Sequence, residues 1–323
     1  MSDEPHSQDD APTGGLSAID AARRAGVKVT APGRSEDGSV QLNGLTFHYL
    51  DWGNAHLPDL LFLHGTAQQA HSWDFASLAL RDRFHVVALD QRGHGDSGWD
   101  PDGRYTPATY LSDTRAFVEA AGLNDLVICG LSLGGRNAYS YAAAEPGVVR
   151  ALVVVDAAPR MEERGRDRVG NFVAAQREFD SFDELVSHVH SYLPHRPVEQ
   201  IRGSLQHTAR RFPNGKWAWK YDPRIWTARR GASDESDEDR WQTLSRVVCP
   251  TLFVLGGDSE MVAPDTVARM LTTVPGSRAE TVQPAGHLVP GDNPAGFDAA
   301  LRPFLDALPA RLDGEEAESN GGQ

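Results

Sequence analysis

Cysteine is scarce in this 323-residue chain, with Cys129 and Cys249 the only two. Both lie in apolar, strand-like surroundings and read as small buried hydrophobes, not as a disulfide. Two thiols cannot furnish a cysteine-rich zinc site, and the cluster His188, His190 and His195 is joined by no cysteine or regularly spaced carboxylate, so no metal is expected. Basic residues number 31 against 45 acidic ones, for a formal charge of −14. That balance argues against nucleic acid and anionic membrane surfaces as partners. No run approaches the ~18 apolar residues of a membrane span. The opening residues, with Asp3, Glu4, Asp9 and Asp10, have neither the basic nor the apolar region of a secretory signal. There is no P-loop, and Gly93-His94-Gly95 lacks the third glycine and the helix of a dinucleotide fingerprint. The expectation is a cytoplasmic protein without cofactor, its oligomeric state left open.

What remains is ample material for a core, since 40% of the residues are hydrophobic. Apolar segments near Val40 and at 46–50, 60–63, 84–89, 125–129, 151–155, 251–255 and 277–282 read as strands. Helical stretches such as 109–121 and 295–308 lie between and after them. This alternation predicts a mostly parallel sheet covered on both faces. Residues 1–36 read as a polar tail, in which 16–27 could form a short helix, and 311–323 as a disordered acidic tail.

Gly130-Leu131-Ser132-Leu133-Gly134 stands between the strand at 125–129 and a helical stretch at 136–145. A G-x-S-x-G sequence in that context predicts a nucleophile elbow. Its glycines leave room for a strained turn that lifts the Ser132 hydroxyl above the sheet and aims the first N–H groups of the helix at the same point. A serine hydroxyl needs a base, and His287 is the candidate, on a loop between the last strand and the last helix. It also needs an oxyanion site. The apolar run 60–63 leads into His64-Gly65-Thr66, and the backbone N–H groups of Thr66 and Leu133 are the expected donors.

Together with the stretch Asp90-Gln91-Arg92-Gly93-His94-Gly95-Asp96-Ser97, these motifs make the chain resemble the α/β-hydrolase superfamily, of the serine esterase and haloperoxidase-like type. The resemblance covers about 40–308 and implies an eight-stranded α/β-hydrolase fold with a helical cap. It also implies that 90–97 braces the active-site face, and that His64 anchors its loop.

For the acid that orients His287 there are two candidates, each on a loop leaving the C-terminal edge of the sheet. Asp258 follows the strand 251–255, in the loop where most of the superfamily carries its acid, although the usual position falls on Ser259. Asp156 follows the strand 151–155, where some dehalogenase relatives carry theirs, and is preferred.

Residues 37–156 and 249–310 read as the hydrolase core, and 157–248 as the cap insertion. The insertion holds Trp217, Trp219, Trp226 and Trp241, with Phe172, Phe179, Phe182, Tyr192 and Phe212. Some of these rings must line a pocket, while others fix the cap to the core. The expected activity is hydrolysis of a small, largely apolar ester, lactone or thioester through an acyl-enzyme on Ser132. Serine as nucleophile argues against dehalogenation and epoxide opening, which relatives perform with an aspartate. A C–C bond hydrolase and a small-molecule receptor with little turnover are the alternatives.

Overall fold

The computed structural model describes residues 17–175, 177–226 and 235–309. Its first part runs α1 (Ala18–Arg24), β1 (Glu36–Leu42), β2 (Leu45–Asp51), β3 (Asp59–Leu63), α2 (Asp74–Leu80), β4 (His85–Leu89), α3 (Pro107–Ala120), β5 (Leu126–Leu131), α4 (Leu133–Ala144) and β6 (Val149–Val155). A middle segment holds α5 (Glu163–Ala174), β7 (Glu178–Phe179), α6 (Phe182–Tyr192), α7 (Val198–Thr208), β8 (Ala209–Arg211) and β9 (Trp217–Trp219). The chain then continues through α8 (Asp237–Leu244), β10 (Thr251–Gly256), α9 (Pro264–Thr273), β11 (Arg278–Val282), the single turn α10 (Val289–Asp292) and α11 (Pro294–Asp306).

Eight strands form one sheet in the order β1-β2-β4-β3-β5-β6-β10-β11. Only the pairs β1–β2 and β2–β4 are antiparallel. The burial of each strand follows from its neighbours. β3, β4 and β5 lie inside the sheet and are buried at every position, as their largely apolar sequences require. β1 and β11, at the two edges, are largely exposed or half-buried.

Period-two alternation divides the side chains between two cores. On one face Leu60, Phe62, Val127, Cys129 and Val153 pack with Ala22 of α1, Leu78 of α2 and Phe297 and Leu301 of α11. On the other, Leu61, Leu63, Ile128, Leu152 and Val154 pack with Phe117 of α3, Ala138 and Tyr141 of α4, and Met270 of α9. The parallel strands all point their C-terminal ends the same way. The turns after β3, β5, β6, β10 and β11 therefore meet at one edge of the sheet, where open α/β sheets bind ligands.

Two expected boundaries are corrected. The polar tail does not extend to residue 36: Ser17 caps α1 by accepting from the Asp20 N–H, and Ala22 and Val27 are buried against the core. The expected helical cap is present, and β7, β9 and β8 add an antiparallel three-stranded sheet to it. The cap does not reach residue 248. Trp241 and Leu244 of α8, with Val247, are buried in the second core, so α8 belongs to the hydrolase body. The cap has its own cluster, built from Val173, Phe179, Leu185, Ile201, Leu205, Trp219 and Tyr221 among others. Residues 1–16 and the acidic tail 311–323 lie outside the described residues. Among those described, no helix is long and apolar enough to cross a membrane.

Candidate active site

Ser132 sits between β5 and α4 with φ 53° and ψ −109°, a left-handed conformation that is costly for a residue with a side chain. The surrounding backbone enforces it. The Ser132 N–H donates to Val155 O at 3.0 Å, and the Gly134 N–H to His64 O at 3.1 Å. Both motif glycines are steric necessities: a Cβ on Gly130 would lie 2.1 Å from Gly134 O, and one on Gly134 would lie 2.1 Å from Leu63 O. The elbow is thus pressed against the ends of β3 and β6. Leu133 is the first residue of α4, so its N–H has no acceptor within the helix and points out of its positive end.

Asp156 and His287 are brought together. His287 Nδ1 lies 2.7 Å from Asp156 Oδ2, and the aspartate side chain is only 1% exposed. An ionised carboxylate can only accept, so Nδ1 is the donor in this contact. Asp156 also takes a positive φ, 45°, at the end of β6, which turns its carboxylate towards the β10 loop. There Oδ1 accepts from the Gly256 N–H at 3.2 Å and Oδ2 from Ser259 Oγ at 2.5 Å. Asp258 is not part of this group. It is exposed, and its backbone N–H donates to Ala285 O at 2.8 Å.

Ser132 lies between two cavities. One, of about 100 Å³, is lined by Ser132, Thr66 and His287 and walled by apolar cap residues including Phe172, Tyr192, Leu205 and Trp219. The other, of about 300 Å³, shares Ser132 and Thr66 and adds Leu133. Its remaining wall is mixed: Tyr105, Arg136, Tyr139, Arg166 and Glu235 are polar or charged, while Pro159, Met161, Val169, Trp226 and Met261 are apolar. The aromatic residues of the cap divide as their chemistry suggests. Phe172, Tyr192 and Trp219 face the small cavity and Trp226 the large one, whereas Phe182 and Trp217 pack on each other within the cap.

The loops that carry these groups are cross-braced. His64 is fully buried, and its Nε2 accepts from the Gln91 N–H at 3.0 Å. Nδ1 therefore holds the proton and donates to Gly65 O at 2.8 Å. Burial lowers the His64 pKa, which suits a neutral ring that anchors the loop. Gln91 ties the same loop to α4, donating to His64 O and accepting from Asn137 Nδ2, both at 2.6 Å.

Sequence reasoning missed a second brace. The buried side chain of Asp292 accepts from the Gly286 N–H at 3.0 Å and from Arg196 Nε at 2.7 Å. Arg196 Nη2 also donates to Leu288 O at 3.2 Å. A cap arginine thus grips the loop carrying His287, and no local pattern in the sequence marks it.

His195 reaches Asp292 while His188 stacks near Phe172, so these two histidines do not converge on a common ligand position. Among the described residues His48, Asp90 and Asp96 place potential ligand atoms within 4.8 Å of one another. However, His48 is hydrogen-bonded to Asp90 through Nδ1 (2.8 Å) and to Asp37 through Nε2 (2.9 Å). Burial alone would lower its pKa, but these hydrogen bonds and the Asp90 charge push it up to about 9, and an imidazolium does not bind a cation.

Comparison with known proteins places this geometry in context. Residues 60–300 match the family described as the alpha/beta hydrolase family. The chain is 33% identical over 292 residues to esterase Rv0045c of Mycobacterium tuberculosis, covering 88% of this chain and 93% of that protein. It is 30% identical over 278 residues to N-formylmaleamate deformylase of Pseudomonas putida, covering 83% and 96%. The crystal structure of E-2-(acetamidomethylene)succinate hydrolase superposes with a TM-score of 0.75 at 25% identity, over 84% of this chain and all of that one. That of the mycobacterial esterase superposes at 0.71 and 30% identity, over 90% and 96%. Sequence, sheet order and elbow thus agree, and the chain belongs to the alpha/beta hydrolase family.

Proposed function

We propose that this hydrolase cleaves carboxylic esters through an acyl-enzyme on Ser132, with His287 as general base and acid and Asp156 as the acid that orients it. The observation that carries the reading is the 2.7 Å contact between His287 Nδ1 and the buried Asp156, on a histidine that shares a cavity with the elbow serine. Nε2 of His287 takes the Ser132 proton as Oγ bonds to the carbonyl carbon. The Thr66 and Leu133 N–H groups hold the oxyanion. The tetrahedral adduct collapses by breaking the bond to the leaving oxygen, which takes the proton from Nε2. Water then attacks the acyl-enzyme, gives a proton to His287, and the acid departs as Ser132 Oγ recovers that proton.

The two cavities orient the substrate. The leaving oxygen must lie beside His287 to be protonated, and His287 lines the small apolar cavity and not the larger one. The alcohol half therefore occupies the apolar cavity under Phe172, Leu205 and Trp219. The acyl half extends towards Tyr105, Tyr139 and Arg136. A second reading, hydrolysis of an N-acyl bond, is supported by the likeness to N-formylmaleamate deformylase.

The test is hydrolysis of p-nitrophenyl esters from acetate to decanoate by wild type and Ser132→Ala, with an N-formyl amide as a parallel substrate. Ester turnover that vanishes in Ser132→Ala is expected. Equal turnover by both proteins would sink the mechanism, and turnover of the amide alone would favour the second reading.

A further inference from the structure

We infer that Ser259 is a positioning residue for this reaction, holding the Asp156 carboxylate in the orientation that fixes His287; the inference rests on the serine-hydrolase reading above. Asp156 Oδ2 is shared by two groups, His287 Nδ1 at 2.7 Å and Ser259 Oγ at 2.5 Å. Ser259 must be the donor, because an ionised carboxylate has only lone pairs to offer. Its own oxygen is held in turn, accepting from the Met261 N–H at 3.2 Å. The hydroxyl is thereby anchored by backbone on one side and aimed at the carboxylate on the other.

The remaining partner of the carboxylate is the Gly256 N–H, at 3.2 Å from Oδ1, a longer contact than the 2.5 Å bond from Ser259. Without Ser259, rotation of the carboxyl plane would be opposed by this bond and by His287 itself, the very ring that Asp156 is there to orient. Ser259 lies in the loop after β10, whereas Asp156 ends β6, and the parallel pairing of those strands brings the two together. Ser259 lines neither cavity, so it acts through Asp156 and not on substrate.

The test compares kcat and KM of Ser259→Ala and Ser259→Thr with wild type on one p-nitrophenyl ester, with circular dichroism and thermal melting of each. Loss of the hydroxyl is expected to lower kcat about 10-fold, as loosened alignment of a base does, with KM within about twofold. Threonine restores the donor and should bring kcat back to within about threefold of wild type. A wild-type kcat in Ser259→Ala, a change confined to KM, or a folded threonine variant no better than alanine would each overturn the inference. Should alanine prevent folding, Ser259→Cys, close in shape but a weaker donor, carries the same comparison: a lowered kcat supports the inference and an unchanged one overturns it. Ser132→Ala is measured alongside. Retained turnover in that variant would defeat the serine-hydrolase reading itself, a failure separate from any result at Ser259.

Discussion

Replacing Asp156 with asparagine keeps the size of the side chain and changes what its outer atoms offer. The two carboxylate oxygens face three donors: the Gly256 N–H, Ser259 Oγ–H and His287 Nδ1–H. Gly256 is the one partner that cannot reverse, because a backbone N–H never accepts. The amide oxygen of the introduced side chain is therefore drawn to Gly256, which places its NH₂ at the former Oδ2. Ser259 can turn to accept, and His287 can accept only by moving its proton from Nδ1 to Nε2. A ring protonated at Nε2 cannot take the Ser132 proton, and an imidazolium beside a neutral amide loses its counter-charge. Such a tautomer error costs about 10⁴-fold in kcat in serine hydrolases, or roughly 5 kcal/mol of barrier. Asp258 is exposed and lies outside the hydrogen-bonded group, so Asp258→Asn is expected to stay within about twofold of wild type. Steady-state hydrolysis of one p-nitrophenyl ester by the two variants decides the matter. A loss of orders of magnitude in Asp258→Asn with little change in Asp156→Asn would refute the assignment.

Other consequences can be checked separately. Gly134→Ala places a Cβ 2.1 Å from Leu63 O, a backbone atom that cannot yield. It should destabilise the protein by at least ~3 kcal/mol in denaturant unfolding, and a loss under about 1 kcal/mol would show that the elbow can shift. Leu205→Ala enlarges the apolar cavity of about 100 Å³ at a stability cost of roughly 2–5 kcal/mol. It should raise kcat/KM for bulkier alcohols relative to methyl esters, and a gain for longer acyl chains instead would reverse the proposed substrate orientation. His48 is raised from 6.5 to about 9, so its pairing with Asp90 and Asp37 stabilises the fold fully below pH 6.5 and is lost as pH rises through about 9. The contribution is at most ~3 kcal/mol. His48→Gln should flatten the decline in unfolding free energy between about pH 6.5 and 9.5, and an unaltered slope would refute the coupling.

How much of this was legible in the sequence depended on the range of the interactions involved. The elbow was readable because its constraint is local: Gly130 and Gly134 are forced by contacts within the turn and with the end of β3. His287 was readable because a histidine just past the last strand necessarily arrives at the C-terminal edge of the sheet. The two candidate acids could not be separated in the sequence. Asp156 and Asp258 both follow strands at that edge, and only the pairing of β6 with β10, with the positive φ at Asp156, turns one inward and leaves the other exposed. The cap boundary was misplaced because Trp241 and Leu244 of α8 look like the aromatic and apolar side chains of the preceding insertion, yet they face the second core. The cap sheet escaped notice because its strands are two or three residues long, too short to display an alternation. The Arg196–Asp292 contact joins residues 96 apart through one ion pair, and such a contact leaves no periodic trace.

The central claim is that the substrate becomes covalently attached to Ser132. Intact-mass spectrometry of enzyme quenched during turnover of a slow p-nitrophenyl ester, with peptide mapping of any adduct, tests it directly. The account predicts a single added acyl group on the peptide containing Ser132, absent in Ser132→Ala. Rapid turnover with no adduct at any quench time, or an adduct and undiminished turnover in Ser132→Ala, would contradict it.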